Sequence, residues 1–323
     1  MNKDTHYLGI DISKDVFDVV DEKGVHNQFR NTQKGFKYFL KTLTKMSHCV
    51  MEATGYYHYQ LAYFLVENKI LVSVENPLSV KRFIQMKLSK IKTDKSDAKM
   101  ICEYAQHVTL TLWKGESEDQ QECLQIIRML SVYSKQSTGL KNKIHGEKTL
   151  GNSNTLVVKS INRSLKSNKK EVALLEKKLL EIVKKLHQAL LTRLESIPGL
   201  GRKTSLMLIV LTDGFNRFET ASALCSYSGL TPTIRQSGSS IKGRPRISKM
   251  GNPKLRNLLF MCSFTACKYN KACKAIYDRI VAKGKSKKLA LIAVCNKLLK
   301  QAFAVAKSGL IYDKNYRSTF VRN

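Results

Sequence analysis

Four carboxylates stand out in an otherwise strongly basic chain of 323 residues: Asp11 in Tyr7-Leu-Gly-Ile-Asp-Ile12, Glu52 in Val50-Met-Glu-Ala-Thr54, and Asp94 with Asp97 in Lys92-Thr-Asp-Lys-Ser-Asp97. The first two sit in short apolar runs that read as buried strands, where an unpaired acid is costly unless it is hydrogen-bonded or binds a metal. The last two are three residues apart and share one face if the segment is helical. Acids of this kind can hold divalent cations through oxygen ligands. Two such cations can clamp the attacking and leaving oxygens of a phosphodiester. Each acid alone has a plainer explanation. An alternating strand can turn Asp11 or Glu52 to solvent, and Asp94 and Asp97 can pair with Lys92, Lys95 and Lys99 on a solvated helix face. The set of four carries the expectation.

Charge supplies the substrate class. The chain carries 56 Lys and Arg against 25 Asp and Glu, a formal net charge of +31. That excess opposes compaction and attracts polyanions, so nucleic acid is the expected partner. It is unevenly spread: residues 1–110 carry about +4 and residues 111–323 about +27. A merely Lys-rich soluble surface does not account for that asymmetry. Eight scattered cysteines without a Cys-x-x-Cys pair, and no signal-peptide pattern, predict reduced thiols and a cytoplasmic protein. The seven histidines form no zinc-spaced cluster with them. No run reaches the roughly 18 apolar residues of a membrane span, so no membrane is expected.

The elements that must position the acids follow from periodicity. Tyr7–Ile12, Val16–Asp21 and Val25–Arg30 read as three short strands, followed by a helix over Gln33–Thr44 and a strand over Cys49–Ala53. Tyr57–Asn68 is an amphipathic helix with Leu61, Phe64 and Leu65 on one face, and Ile70–Glu75 is a strand closed by Asn76-Pro77. Three strands and then αβαβα is the order of the ribonuclease H-like fold, in which an acidic cluster gathers near the centre of the sheet; this is a fold-level analogy. Residues 115–195 lack proline, and Val172, Leu175, Leu179, Ile182 and Leu186 follow the a/d spacing of a coiled-coil seam, broken near Gly151-Asn-Ser-Asn154. A dimerisation hairpin and an intramolecular helix pair both fit that spacing.

A second globular part opens at Ile197-Pro-Gly-Leu-Gly-Arg-Lys-Thr204. A Pro-Gly-x-Gly turn before an apolar helix is similar to a helix-hairpin-helix element. There Gly199 and Gly201 would let the backbone approach a phosphate, and the helix start at Arg202 and Lys203 would offer amide donors. Helices are expected over Ala221–Tyr227, Pro253–Cys267 and Lys288–Ala306, and a solvated tail over Tyr312–Asn323. Between them, Lys242, Arg244, Arg246, Lys249, Lys254 and Arg256 supply six cations without an acid. That stretch reads either as a solvated basic loop or as a clamp on a nucleic-acid backbone.

Gly9-Ile-Asp-Ile-Ser-Lys14, Glu52-Ala-Thr-Gly-Tyr56, Asn76-Pro77 and Lys92-Thr-Asp-Lys-Ser-Asp-Ala98 resemble the DEDD transposases of the insertion-sequence family IS-one-ten, which are similar to the Piv-type DNA invertases. Ile197-Pro-Gly-Leu-Gly201, Gly229-Leu-Thr-Pro232, Ser237-Gly238 and Ile247-Ser-Lys-Met-Gly-Asn252 extend the resemblance in order over almost the whole chain. The resemblance implies three parts. Residues 1–112 would form a RuvC-like DEDD domain binding Mg²⁺ (with Mn²⁺ as a substitute) through Asp11, Glu52, Asp94 and Asp97. Residues 113–194 would form a helical, coiled-coil linker used in dimerisation. Residues 195–323 would form a small, mainly helical transposase domain with a nucleophilic serine. The family pattern puts that serine five residues after the proline of Gly-Leu-x-Pro, on Ser237, with Ser239 and Ser240 as neighbouring candidates. It also implies DNA as substrate, a structured guide RNA and a homo-oligomer, a dimer or tetramer.

Three other readings compete. A RuvC-like junction nuclease would use metal-activated water and no covalent step. An actin-like or sugar-kinase ATPase would use Gly9-Ile-Asp-Ile-Ser13 as a phosphate loop, but a second glycine-rich loop is missing from the sequence. A non-catalytic RNA-binding scaffold would leave the four acids without work.

Overall fold

The computed structural model describes residues 5–53, 55–88, 93–234, 236–237, 241–243 and 246–315, with the backbone alone at 236, 237, 241 and 242. The chain forms two compact units, Met1–Glu116 and Ser117–Asn323.

The first unit is built on five strands: β1 (His6–Ile12), β2 (Val16–Asp21), β3 (His26–Arg30), β4 (Ser47–Glu52) and β5 (Leu71–Glu75). They lie in the order β3-β2-β1-β4-β5. β1 pairs antiparallel with β2 and parallel with β4, so it is the central strand. β5 pairs parallel with β4, and β3 antiparallel with β2. Strand alternation sorts the side chains between two faces. Ile10, Ile12, Cys49, Met51 and Val72 face α1 (Gln33–Leu40) and α2 (His58–Glu67), closing over Phe36, Phe39, Leu61 and Leu65. Burial of each of those large side chains stabilises the unit by about 1.5–3 kcal/mol. On the opposite face, Val50 meets Val80 and Phe83 of α3 (Pro77–Met86) and Ile101, Tyr104 and Ala105 of α4 (Asp94–His107). The sequence places these strands within a residue or two. Helix α3, which Asn76 caps by accepting from the Leu78 amide, goes beyond the turn read at Asn76-Pro77.

The second unit begins with an antiparallel pair of long helices, α5 (Glu118–Thr149) and α6 (Thr155–Glu195). The break expected near Gly151 is present. Gly151 is left-handed at φ 76°, and Asn154 caps α6 by accepting from the Leu156 amide at 2.9 Å. Of the expected seam, Leu179 and Ile182 are buried and Val172 and Leu175 are half-buried. Leu186 departs from it, at 42% exposed. Lys185 already reaches Asp119 in the first turn of α5, so Leu186 sits where its partner helix ends. The bases of both helices do not form a separate connector. Cys123, Ile127, Leu191 and Leu194 share one core with α7 (Arg202–Thr212), α8 (Ala221–Tyr227), α9 (Pro253–Tyr269) and α11 (Lys287–Ser308).

Between α8 and α9, the two-residue strands β6 (Pro232–Thr233) and β9 (Arg246–Ile247) pair with each other, as do β7 (Gln236–Ser237) and β8 (Ile241–Lys242). Helix α10 (Lys271–Ala282) joins α9 to α11. Among the described residues, α11 is the helix long and apolar enough to cross a membrane. Its Val294, Cys295, Leu298, Leu299 and Ala302 are nevertheless packed in the protein core. The expected tail is docked at its start: the Tyr312 amide donates to Ser196 Oγ at 3.0 Å and its hydroxyl to Asn270 Oδ1 at 3.2 Å.

Candidate functional site

The acids are brought together by a glycine. Gly9 and Asp11 lie two apart on β1 and so point to the same face, the one covered by α4. A Cβ at Gly9 would stand 2.2 Å from the Ala98 carbonyl oxygen and 2.2 Å from the Cys102 nitrogen. Only glycine admits the α4 backbone this close to the central strand. That contact seats the start of α4, with Asp94 and Asp97 in its first turn, over Asp11. On the other side, the parallel register Ile10↔Met51 makes Asp11 and Glu52 the next residues along neighbouring strands.

The first turn of α4 is strongly fixed. Thr93 Oγ1 accepts from the Ser96 amide at 3.1 Å, and Ser96 Oγ accepts from the Thr93 amide at 2.8 Å, a reciprocal capping box. The partial positive charge of a helix N-terminus favours acids there, so Asp94 and Asp97 suit the helix as well as the site.

Electrostatics report the convergence. The Asp11 carboxyl is raised from 3.8 to about 6, by burial first and then by the negative charges of Asp97, Asp94, Glu52 and Asp18. All four expected acids therefore act on one point. Their side chains do not close around it: among the described residues, no three His, Cys, Asp or Glu are grouped tightly enough to hold a metal ion. The donor set still fits a divalent cation. It is all carboxylate, hard oxygen chemistry, and its mutual repulsion is what a bound cation would relieve.

Two acids on the same face went unread in the sequence. Asp18, the cross-strand partner of Asp11, is buried; it is held by His26 Nε2 at 2.6 Å and by Gln28 Nε2 at 3.2 and 3.3 Å. Glu75, the partner of Glu52 on β5, accepts from the Tyr104 hydroxyl of α4 at 3.0 Å. The signal was available for Asp18, an acid in the apolar run Val16-Phe-Asp-Val-Val20.

In the second unit, Ser237 lies on β7 opposite Ile241 of β8. Ser239, Ser240 and Arg244 lie outside the described residues. Lys242 follows on β8, and exposed Arg246 lies on β9. Lys249 is exposed in the left-handed region, at φ 56°. Lys254, in the first turn of α9, is lowered below the usual lysine range by burial and by the charges of Lys135 and Arg128. Such crowding of cations is what a bound polyanion would neutralise. Arg256 is engaged internally, with Nη1 donating to the carbonyls of Ser228 at 3.0 Å and Lys249 at 3.4 Å.

Around the Pro-Gly turn, Gly201 caps α7 with open space where its Cβ would be. Gly199 has a packing role instead: at φ 99°, its Cβ would fall 2.6 Å from that of Ala266 on α9. Arg202 pairs with Glu195 at 2.7 Å and Lys203 with Glu176 at 2.8 Å. Both side chains are therefore tied to acids of α6. Buried thiols offer no alternative nucleophile, since burial pushes Cys123 up to about 11 and Cys273 and Cys295 up to about 12.

Residues 8–148 match a family model described as a transposase, of the DEDD type found in IS110 elements, and residues 191–278 match one described as the transposase IS116/IS110/IS902 family. The pilin gene-inverting protein of Moraxella bovis is 30% identical over 324 residues, covering 95% of this chain and 98% of that protein. The chain belongs to the IS110 family of DEDD transposases and recombinases. Within that family, the transposase for insertion sequence element IS1111A of Coxiella burnetii is 25% identical over 288 residues, covering 80% of this chain and 76% of its own. The DEDD match spans Asp11, Glu52, Asp94 and Asp97; the other spans Ser237 and the basic stretch. Membership in a DEDD family implies use of a divalent metal, in agreement with the carboxylate set around Asp11.

Proposed function

We propose that this protein is a DNA transposase or site-specific recombinase that cuts and rejoins strands with two separate pieces of machinery. The observation carrying the reading is the convergence of Glu52, Asp94 and Asp97 on Asp11, across two strands and a helix start, in a chain of this family. The first unit is read as ribonuclease H-like, because the central strand carries the leading acid and the sheet order fits that fold. Asp11, Glu52, Asp94 and Asp97 would hold Mg²⁺. When bound, it would supply Lewis acidity at a backbone phosphate and lower the pKa of an oxygen nucleophile.

Ser237 is the proposed nucleophile. A serine hydroxyl is weak at neutral pH and needs activation by a base or a metal. Its Oγ would bond to a DNA phosphorus as the bond to the leaving deoxyribose oxygen breaks. The hydroxyl proton is given up and the leaving oxygen takes one. The resulting phosphoserine ester keeps the bond energy for rejoining, which suits a relative named for inverting a gene. Exchange between two duplexes requires several cleavages, so the protein would act as an oligomer in which the acids of one protomer serve the serine of another. The open turn at Gly201 and the basic stretch around Lys254 would hold DNA. A structured RNA pairing with target and donor DNA would share the same positive surface, in keeping with the +27 carried by residues 111–323.

A trapping experiment tests the chemistry. DNA carrying the element's ends is incubated with the protein, Mg²⁺ and RNA transcribed from the flanking sequence. The expected product is a protein–DNA adduct that survives denaturation and disappears in Ser237→Ala and Asp11→Asn. Strand cleavage at the wild-type rate by Ser237→Ala would refute the serine role and favour hydrolysis by water.

A further inference from the structure

The α5–α6 pair carries a charge pattern that its packing does not explain. Near its base, acids and bases are matched: Lys185 with Asp119 at 2.9 Å, Lys178 with Glu122 at 3.5 Å, and Lys203 of α7 with Glu176 at 2.8 Å. On α5 the tip still carries one matched pair, Lys143 with Glu147 at 2.7 Å, but along the start of α6 the acids stop. Residues 148–170 contain six Lys and Arg and no Asp or Glu.

The arrangement of those cations is regular. The side of α6 that faces α5 is marked by buried Ile161 and half-buried Leu165, Asn168 and Val172, with Asn168 Nδ2 reaching Ser137 Oγ of α5 at 3.5 Å. At about 100° per residue, Lys159, Arg163, Lys166 and Lys170 fall in a narrow band on the opposite side, one per turn. All four are exposed, and none is in an ion pair among the described residues. Three of them, with Leu156 and Asn162, line a shallow groove of about 450 Å³.

We infer that the distal half of this hairpin is a DNA-gripping arm, with the Lys159–Lys170 stripe lying along the phosphate backbone of a duplex. Three features identify that partner. The stripe is about 16 Å long, and a duplex presents one charge per roughly 1.7 Å of axis, so backbone phosphates are dense enough to meet every cation. Single strands are gripped largely by stacking on aromatic rings, and residues 134–214 contain no Phe, Trp or Tyr. Flexible lysines on one straight face suit phosphate contacts, which position a duplex without reading its bases. The arm thereby adds a second, sequence-independent hold on DNA at a distance from Ser237 along the chain. The inference rests on the chain acting on DNA.

The test is the salt dependence of binding by the full-length protein to a double-stranded DNA fragment. Two variants are compared. One is Lys159→Gln/Arg163→Gln/Lys166→Gln/Lys170→Gln; the other is Lys271→Gln/Lys274→Gln/Lys283→Gln/Lys285→Gln, with the same change in charge on exposed residues elsewhere. Glutamine keeps helix propensity, and unchanged circular dichroism and melting establish the fold. Each lost phosphate contact lowers the slope of log K against log [salt] by about 0.9. The arm variant is therefore expected to lose up to about 3.6 units of slope and more than tenfold in affinity near 0.15 M salt, and the control variant far less.

Equal slopes for wild type and arm variant, or equal losses in both variants, overturn the arm. So does a loss seen with duplex RNA but not DNA, or a change in oligomer mass with DNA binding intact. A wild-type protein without salt-dependent DNA binding would instead refute the direct hold on DNA by this chain on which the arm depends.

Discussion

Asp11→Asn should make the metal-free protein more stable while abolishing its chemistry. Asp11 is raised from 3.8 to about 6 by burial and by neighbouring acids. Below about pH 4 the carboxyl is protonated in both the folded and the unfolded chain, and it costs nothing. As pH rises from about 4 to about 6, the unfolded chain releases the proton while the folded one holds it. Stability is lost across that window, and the full penalty applies above it. A rise of that size corresponds to about 3 kcal/mol. The carboxyl is partly solvated, so screening reduces the expected gain to about 1–2 kcal/mol. Asparagine removes the charge at nearly the same volume. Denaturant melts in chelator at pH 7.5 should show the variant ahead by that amount, with the gap closing by pH 4. Added Mg²⁺ should stabilise the wild type in proportion to the logarithm of its concentration, and the variant much less. A variant no more stable than wild type at pH 7.5, or one whose gain persists at pH 4, would refute the account of the cluster.

Gly9→Ala should destabilise the first unit by about 1–3 kcal/mol through overpacking and weaken Mg²⁺-dependent stabilisation, because α4 must lift from β1 to clear the 2.2 Å contact; melts with and without Mg²⁺ would show both. His26→Ala removes the 2.6 Å partner of buried Asp18 and should cost about 1–3 kcal/mol, whereas His26→Gln should recover part of it in the same melts.

The first unit was legible because its signals are local and agree. Short, mostly apolar runs define β1, β2, β4 and β5, and Gly9-Ile-Asp-Ile12 marks the leading acid. The convergence of the acids could not be read in the same way, since it depends on strand order and on the approach of α4, neither of which periodicity encodes. Asp18 was legible only in part: the apolar run around it marks a buried acid, but only the antiparallel register places it beside Asp11. The helical connector misled in the opposite direction. Its a/d spacing is genuine over Val172–Ile182, but spacing does not say where a partner helix stops, and α5 begins too late to cover Leu186. Gly199 shows the same limit, since a turn glycine spaced for phosphate approach is occupied with Ala266.

The rooting of α5 and α6 in the second core also has a mechanical side. Beyond Ile127, some twenty residues of α5 project past the buried base, a rod of roughly 30 Å at 1.5 Å per residue. Such a rod is a lever: a tilt of about 10° at its base would sweep its tip through about 5 Å, close to the 5.4 Å pitch of one helical turn. Small repacking among Cys123, Ile127, Leu191 and Leu194 would thus be amplified into a stroke long enough to shift whatever the tip holds by one rung of its cation ladder.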